Sequence, residues 1–222
     1  MSVTTAPPPK KRGMGCLGCG CVILAVLALL VLGLVGAVCY ICYSQMAALT
    51  STAPLAVPSF DGGDEMYNAA REKVVAFDHD LDAHQAATLQ LSGDEINTLI
   101  ARDPRYGKDK ILLYVTLANN EAGVQTSIPT RLILHGVLPK PYLNGTTSFG
   151  IDFNSDAKTL NLALHELQMG EKEMPKEELP AIQTEINLGL NWVVQSDAEG
   201  KLLLDQAKSI EIQNNELVIE TQ

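Results

Sequence analysis

Ala87–Asp103 reads ATLQLSGDEINTLIARD, and the period of its apolar residues changes half-way along. Ala87 to Leu91 alternate, with Leu89 and Leu91 on one side, as a short strand does. Ser92 then precedes Glu95 by three residues, the spacing at which hydroxyl and carboxylate cap a helix start reciprocally. A helix is therefore expected from Gly93, with Ile96, Leu99 and Ile100 turned inward. It should stop before Asp103-Pro104, because a residue preceding proline disfavours the helical region.

Toward the N-terminus, Met66, Ala70, Val74, Phe77 and Leu81 recur at steps of three or four and predict a helix from Asp64 to about Gln85. Its far end, DHDLDAH from Asp78 to His84, crowds carboxylates and imidazoles. Asp80 and His84 stand one turn apart there, a spacing two metal ligands can use, although a solvated helix face is the plainer reading.

Toward the C-terminus the period becomes two. Ile111, Leu113, Val115 and Leu117 share a face, Asn119-Asn120-Glu121 turns, and Val124, Thr126 and Ile128 return, which makes a hairpin. Leu132 to Leu138 is a further apolar run, ended by Pro139-Lys140-Pro141. Phe149, Ile151 and Phe153 alternate before a turn at Asn154-Ser155-Asp156, and Leu160, Leu162 and Leu164 alternate after it. From about Glu177 to Gln195 a stripe of Leu179, Ile182, Ile186, Leu190 and Val193 predicts an amphipathic helix, with Pro180 tolerated in its first turn. Ser209–Gln213, Asn214-Asn215 and Glu216–Glu220 form a closing hairpin. The expected class is α+β: one curved, mostly antiparallel sheet with amphipathic helices laid across its apolar face.

Before this domain, Cys16 to Tyr43 is almost wholly apolar, and no charged side chain occurs between Arg12 and Asp61. A hydrocarbon core about 30 Å thick needs roughly 20 apolar helical residues, so the run is long enough for a transmembrane helix. It exceeds the secretory h-region of about 7 to 15 residues, which favours an uncleaved signal-anchor. Ser51-Thr52-Ala53, the best cleavage-like site, is followed by Pro54. Lys10, Lys11 and Arg12 precede the run and no Lys or Arg follows until Arg71, which places the N-terminus in the cytoplasm and the rest outside it. The expected organisation is a cytoplasmic tail (1–15), a single-pass span (16–43), a linker (44–63) and an extracytoplasmic domain (64–222).

All 26 acidic residues lie beyond the span, which argues against nucleic acid or anionic headgroups as main partners. All five cysteines lie in or beside the span. Cys16/Cys19 and Cys39/Cys42 are about 30 Å apart along a helix and cannot share one ion. Apolar filler, acylation or a disulfide between chains remain as their roles. No G-x-S-x-G, P-loop, H-E-x-x-H or G-x-G-x-x-G occurs, and His135 and His165 stand alone. Asn144-Gly145-Thr146 fits a glycosylation acceptor in a eukaryotic secretory path and an ordinary turn in a bacterium. No catalytic residue, metal ligand or cofactor is assigned.

The element order across residues 88–220, with Leu89, Leu91, Ser92, Ile96 and Asn97 in an L-x-L-[ST]-x-x-x-[IL]-N pattern, resembles small bacterial single-span envelope proteins. It is also distantly similar to the YpmS-type and tubular-lipid-binding families. That resemblance implies a bacterial inner-membrane protein whose curved sheet wraps a helix, with a groove that holds acyl chains in some relatives. Two roles stand together: a non-enzymatic envelope binding or scaffold protein, with an apolar ligand between sheet and helix, or an accessory subunit docked on another membrane complex through its sheet edge or span. The full-length chain is expected to stay with membrane vesicles through an alkaline wash, with a reporter fused after Gln222 in the compartment opposite Met1. Release by the wash, or both ends in one compartment, contradicts the anchor.

Overall fold

Ser92 starts its helix as the spacing predicts. In a computed structural model describing residues 45–134 and 138–222, Ser92 Oγ accepts from the Glu95 N–H at 3.2 Å and Glu95 Oε2 accepts from the Ser92 N–H at 2.9 Å. The expected span at 16–43, its cysteines and His135 lie outside the described residues. Among the described residues no helix is long and apolar enough to cross a membrane.

The elements run α1 (Gly63–Asp82), β1 (Thr88–Ser92), α2 (Gly93–Arg102), α3 (Pro104–Asp109), β2 (Leu112–Ala118), β3 (Glu121–Pro129) and α4 (Arg131–Leu134). They continue with β4 (Tyr142–Asn154), β5 (Thr159–Met169), β6 (Lys172–Glu173), α5 (Leu179–Ser196), α6 (Ala198–Gln206), β7 (Ala207–Gln213) and β8 (Glu216–Thr221). The α+β class is therefore observed. Helix α2 ends before Pro104, with Asp103 extended. Both Asn-Asn pairs take positive φ at both central positions (53° and 63° at Asn119-Asn120, 53° and 64° at Asn214-Asn215). Such turns follow the right-handed twist of paired strands and close tight hairpins.

The expected single sheet is instead two antiparallel sheets, β1-β8-β7 and β2-β3-β4-β5-β6. The closing hairpin pairs with the short strand of the opening stretch rather than extending the long hairpins. Leu89 stands beside Ile219 and Leu91 beside Leu217, while Ile210 and Ile212 flank the same two residues from β7. Leu89, Leu91, Ile210 and Ile219 meet Ala70, Phe77 and Leu81 of α1 and Leu204 of α6, and the core forms there. Each such leucine, isoleucine or phenylalanine taken from water contributes roughly 1.5–3 kcal/mol.

Helix α6 and the first half of β4 carry no strong periodicity and are features the sequence reading lacks. Asp197 caps α6 by accepting from the Gly200 N–H at 2.9 Å. A Cβ at Gly200 would lie 2.6 Å from the Val194 carbonyl oxygen, so the α5–α6 corner requires glycine.

Residues 46–62, read above as part of a linker, belong to the same compact unit as the rest of the domain. Ser51 and Tyr142 exchange backbone hydrogen bonds of 2.8 and 3.1 Å. Asn144 holds the next turn: its amide donates to Ala53 O at 3.0 Å and its oxygen accepts from the Leu55 N–H at 3.1 Å and from Ser127 Oγ at 2.7 Å. Asn144 is thus a buried residue of β4. This corrects both the turn and the glycan-acceptor readings, because the amide nitrogen is already committed.

At Glu95, partial burial would raise the pKa, but the Lys73 ammonium at 2.6 Å and the Ser92 donors outweigh it and hold the carboxyl below its usual 4.5. A carboxyl lowered on folding stabilises above its unfolded pKa, and that contribution is lost as pH falls through the folded value. Glu95→Gln keeps the cap and removes the charge. It should cost about 1 kcal/mol or less at pH 7, given the solvent-screened Lys73, and urea midpoints of the two proteins should converge as pH falls from about 5 to 3. A gap that persists in acid contradicts an ionic origin.

Candidate functional site

Helix α5, LPAIQTEINLGLNWVVQS, carries one charged residue, Glu185, and four amides at steps of four, of which the first three, Gln183, Asn187 and Asn191, reach β5. Four helical residues advance about 6.0 Å and two strand residues about 6.7 Å, so the amides match alternate residues of a strand. Asn191 accepts from the Leu160 N–H at 2.9 Å and donates to Leu160 O at 2.7 Å. Asn187 treats Leu162 the same way, at 2.9 and 3.2 Å. Gln183 accepts from the Leu164 N–H at 3.0 Å. The three side chains replace the strand that would otherwise lie beside β5, which pairs with β6 only at Gln168 and Met169. At the opposite edge Asn97 exchanges two 2.8 Å bonds with Val115 of β2.

Helix α5 is therefore pinned along an edge strand instead of being laid across the sheet face, a correction to the expected packing. Of its predicted stripe Leu179 is buried, Ile182, Ile186 and Leu190 are half-buried, and Val193 is 57% exposed. With the amides facing β5, Leu188 and Trp192 are left 63% and 72% exposed. They wall an open groove of about 560 Å³ floored by Thr159 and Asn161 and closed by Gln195, and no ionisable side chain lines it. Such a groove lends itself to contact rather than to proton transfer.

The other residues singled out above lie elsewhere. Helix α1 ends at Asp82 and His84 takes a left-handed φ of 52°, so Asp80 and His84 are not one helical turn apart. Asp80 meets His79 at 3.3 Å, and His84 Nδ1 meets Gln206 Nε2 at 2.8 Å. His165 is the extra residue of a β-bulge opposite Ser148/Phe149, and it pairs with Glu121 at 2.8 Å. Among the described residues no group of three or more His, Cys, Asp or Glu side chains is placed to share a metal ion.

Shifted acidities have structural causes. Burial and then Asp82 raise Asp78. The Gly63 N–H and then Arg102 lower Asp61, and Lys208 lowers Glu220. Arg102 itself joins Asp61 at 3.1 Å, Asp64 at 2.5 Å and the face of Tyr67 at 5.2 Å, which ties α2 to the start of α1. None of these groups lines the α5 groove.

No protein-family model, no curated protein and no solved structure matches the chain.

Asn187→Ala leaves the Leu162 N–H and C=O without partners and should cost about 1–3 kcal/mol in urea unfolding. Asn161→Ala, which breaks no bond to the strand edge, should stay within about 0.5 kcal/mol. Equal losses in the two variants contradict a structural role for the amide row.

Proposed function

We propose that this is a membrane-anchored, non-enzymatic extracytoplasmic binding or scaffold protein of the cell envelope, and that its partner covers the outward face of α5. The anchor part of this reading rests on residues 16–43 and on the basic residues before them. The binding part rests on one observation: Leu188, Trp192 and Val193 are exposed together on a helix whose orientation is fixed by paired amides. A large apolar patch on a surface is costly unless something covers it. Tryptophan is enriched among the residues that dominate protein interfaces.

This supports the accessory-subunit form of the reading, with the contact moved from the sheet edge to α5. The edge groups at Leu160, Leu162 and Val115 already have partners. A second form, an apolar or lipid ligand along the five-stranded sheet, is favoured by a different feature. Phe149, Ile151 and Phe153 stand opposite Leu164, Leu162 and Leu160 on one face; Ile151, Phe153 and Leu160 pack against the core, and Phe149, Leu162 and Leu164 are half-buried.

Light scattering on the full-length protein, solubilised in mild detergent from its native membranes, should give the mass of a complex. A Leu188→Ala/Trp192→Ala variant should give the uncomplexed mass, with its circular dichroism unchanged. The same mass for both contradicts the α5 contact. Lipid retained equally by both, found by mass spectrometry of organic extracts, moves the binding surface to the sheet face.

A further inference from the structure

The domain is acidic, yet one open cavity of about 460 Å³ collects Lys110, Arg131 and Lys140 and has no carboxylate in its lining. Among the described residues none of the three cations has an ion-pair partner. Lys110 sits at a left-handed φ of 56°, just past α3, where glycine or asparagine would be accommodated at less cost. The remaining wall is Pro129, Thr130, Leu138, Pro139, Pro141 and Tyr142, in which the Thr130 hydroxyl donates to Lys140 O at 3.1 Å.

The location of this cavity matters as much as its charge. Tyr142 is the residue whose backbone pairs with Ser51, and residues 45–49, just before it, are helical. Gly170 closes against this segment so tightly that a Cβ there would lie 2.6 Å from Ala48 O. The chain therefore enters the domain at this end. From Tyr43, where the expected span stops, to Ser51 the chain reaches at most about 20 Å, because helical residues advance about 1.5 Å and extended ones about 3.5 Å. Helix α5 runs the other way, from Gln183 beside Leu164 to Asn191 beside Leu160, so its Trp192 end is carried along β5 away from Met169.

The geometry points to an anionic-phospholipid headgroup site in the Lys110/Arg131/Lys140 cavity, its ligand drawn from the outer leaflet of the membrane that the anchor crosses. This rests on the anchor reading of the proposed function. Arg131 supplies the planar fork that matches a phosphodiester, and the two lysines add point charges. Tyr142 and Leu138 suit the glycerol and upper acyl region, where tyrosine is favoured. Bulk acidity repels an anionic surface only over about a Debye length, roughly 8 Å, so three unpaired cations in contact with one headgroup prevail locally.

The test uses the full-length chain in nanodiscs of phosphatidylcholine alone or with phosphatidylglycerol, read by mass-spectrometric footprinting of lysine acetylation. Lys110 and Lys140 should be protected about fivefold when phosphatidylglycerol is present, with Lys201 and Lys208 unchanged as references. An Arg131→Gln variant should lose most of that protection. Equal labelling in both discs overturns the site while leaving the anchor reading standing. Protection by inorganic phosphate alone, in phosphatidylcholine discs, overturns the lipid source in favour of a free-anion site. A chain that does not enter the discs overturns the anchor reading and this site with it.

Discussion

The domain depends on the way its sheet edges are closed. An unpaired edge strand presents N–H and C=O groups that must be hydrated, paired or covered. Here side-chain amides from helices take that role, with Asn187 and Asn191 each gripping both groups of one residue of β5 and Asn97 doing so on β2. The fit comes from arithmetic between two periods, about 6.0 Å for one step of four along a helix and about 6.7 Å for two along a strand. Because both sides of each amide are used, α5 is fixed in rotation as well as in position. Its outward face is then set by the residues between the amides, Leu188 and Trp192 among them.

The consequences run on through the chain. Helix α5 ends at Asp197, which also caps α6, and the close approach at Gly200 turns the chain so that Leu204 reaches the core. Helix α6 then delivers β7 directly to the three-stranded sheet, where Ala207 and Ile210 join Leu89, Leu91 and Ile219. At the other end of the domain Asn144 and Tyr142 hold residues 51–55 against the strands. The chain thus enters on a fixed edge of the domain.

Much of this was legible in the sequence wherever burial is periodic. The capping box at Ser92, the stripe from Ala70 to Leu81, the two Asn-Asn turns and the proline stop at Asp103 all act through local sterics or local hydrogen bonds, and each lies where its spacing put it. The amide row was not legible, because hydrophobic pattern scores Gln183, Asn187 and Asn191 only as polar positions. A repeat of amides at steps of four in a helix with one charge was the available signal. Asn144 misled for a related reason: Asn-Gly resembles a turn until Ser127, Ala53 and Leu55 satisfy its side chain from distant parts of the chain. The division into two sheets was equally hidden, since a strand of five residues carries no mark of which partner it will take.

Hydrogen exchange at the amides of Leu160, Leu162 and Leu164 tests the central claim most directly. These N–H groups point away from β4 and in a bare edge strand would exchange with solvent readily. The account predicts protection comparable to that of Ala163, which lies opposite Gly150 inside the sheet. Exchange as fast as that of an exposed loop at Leu160 and Leu162 would contradict it and leave α5 without a fixed seat.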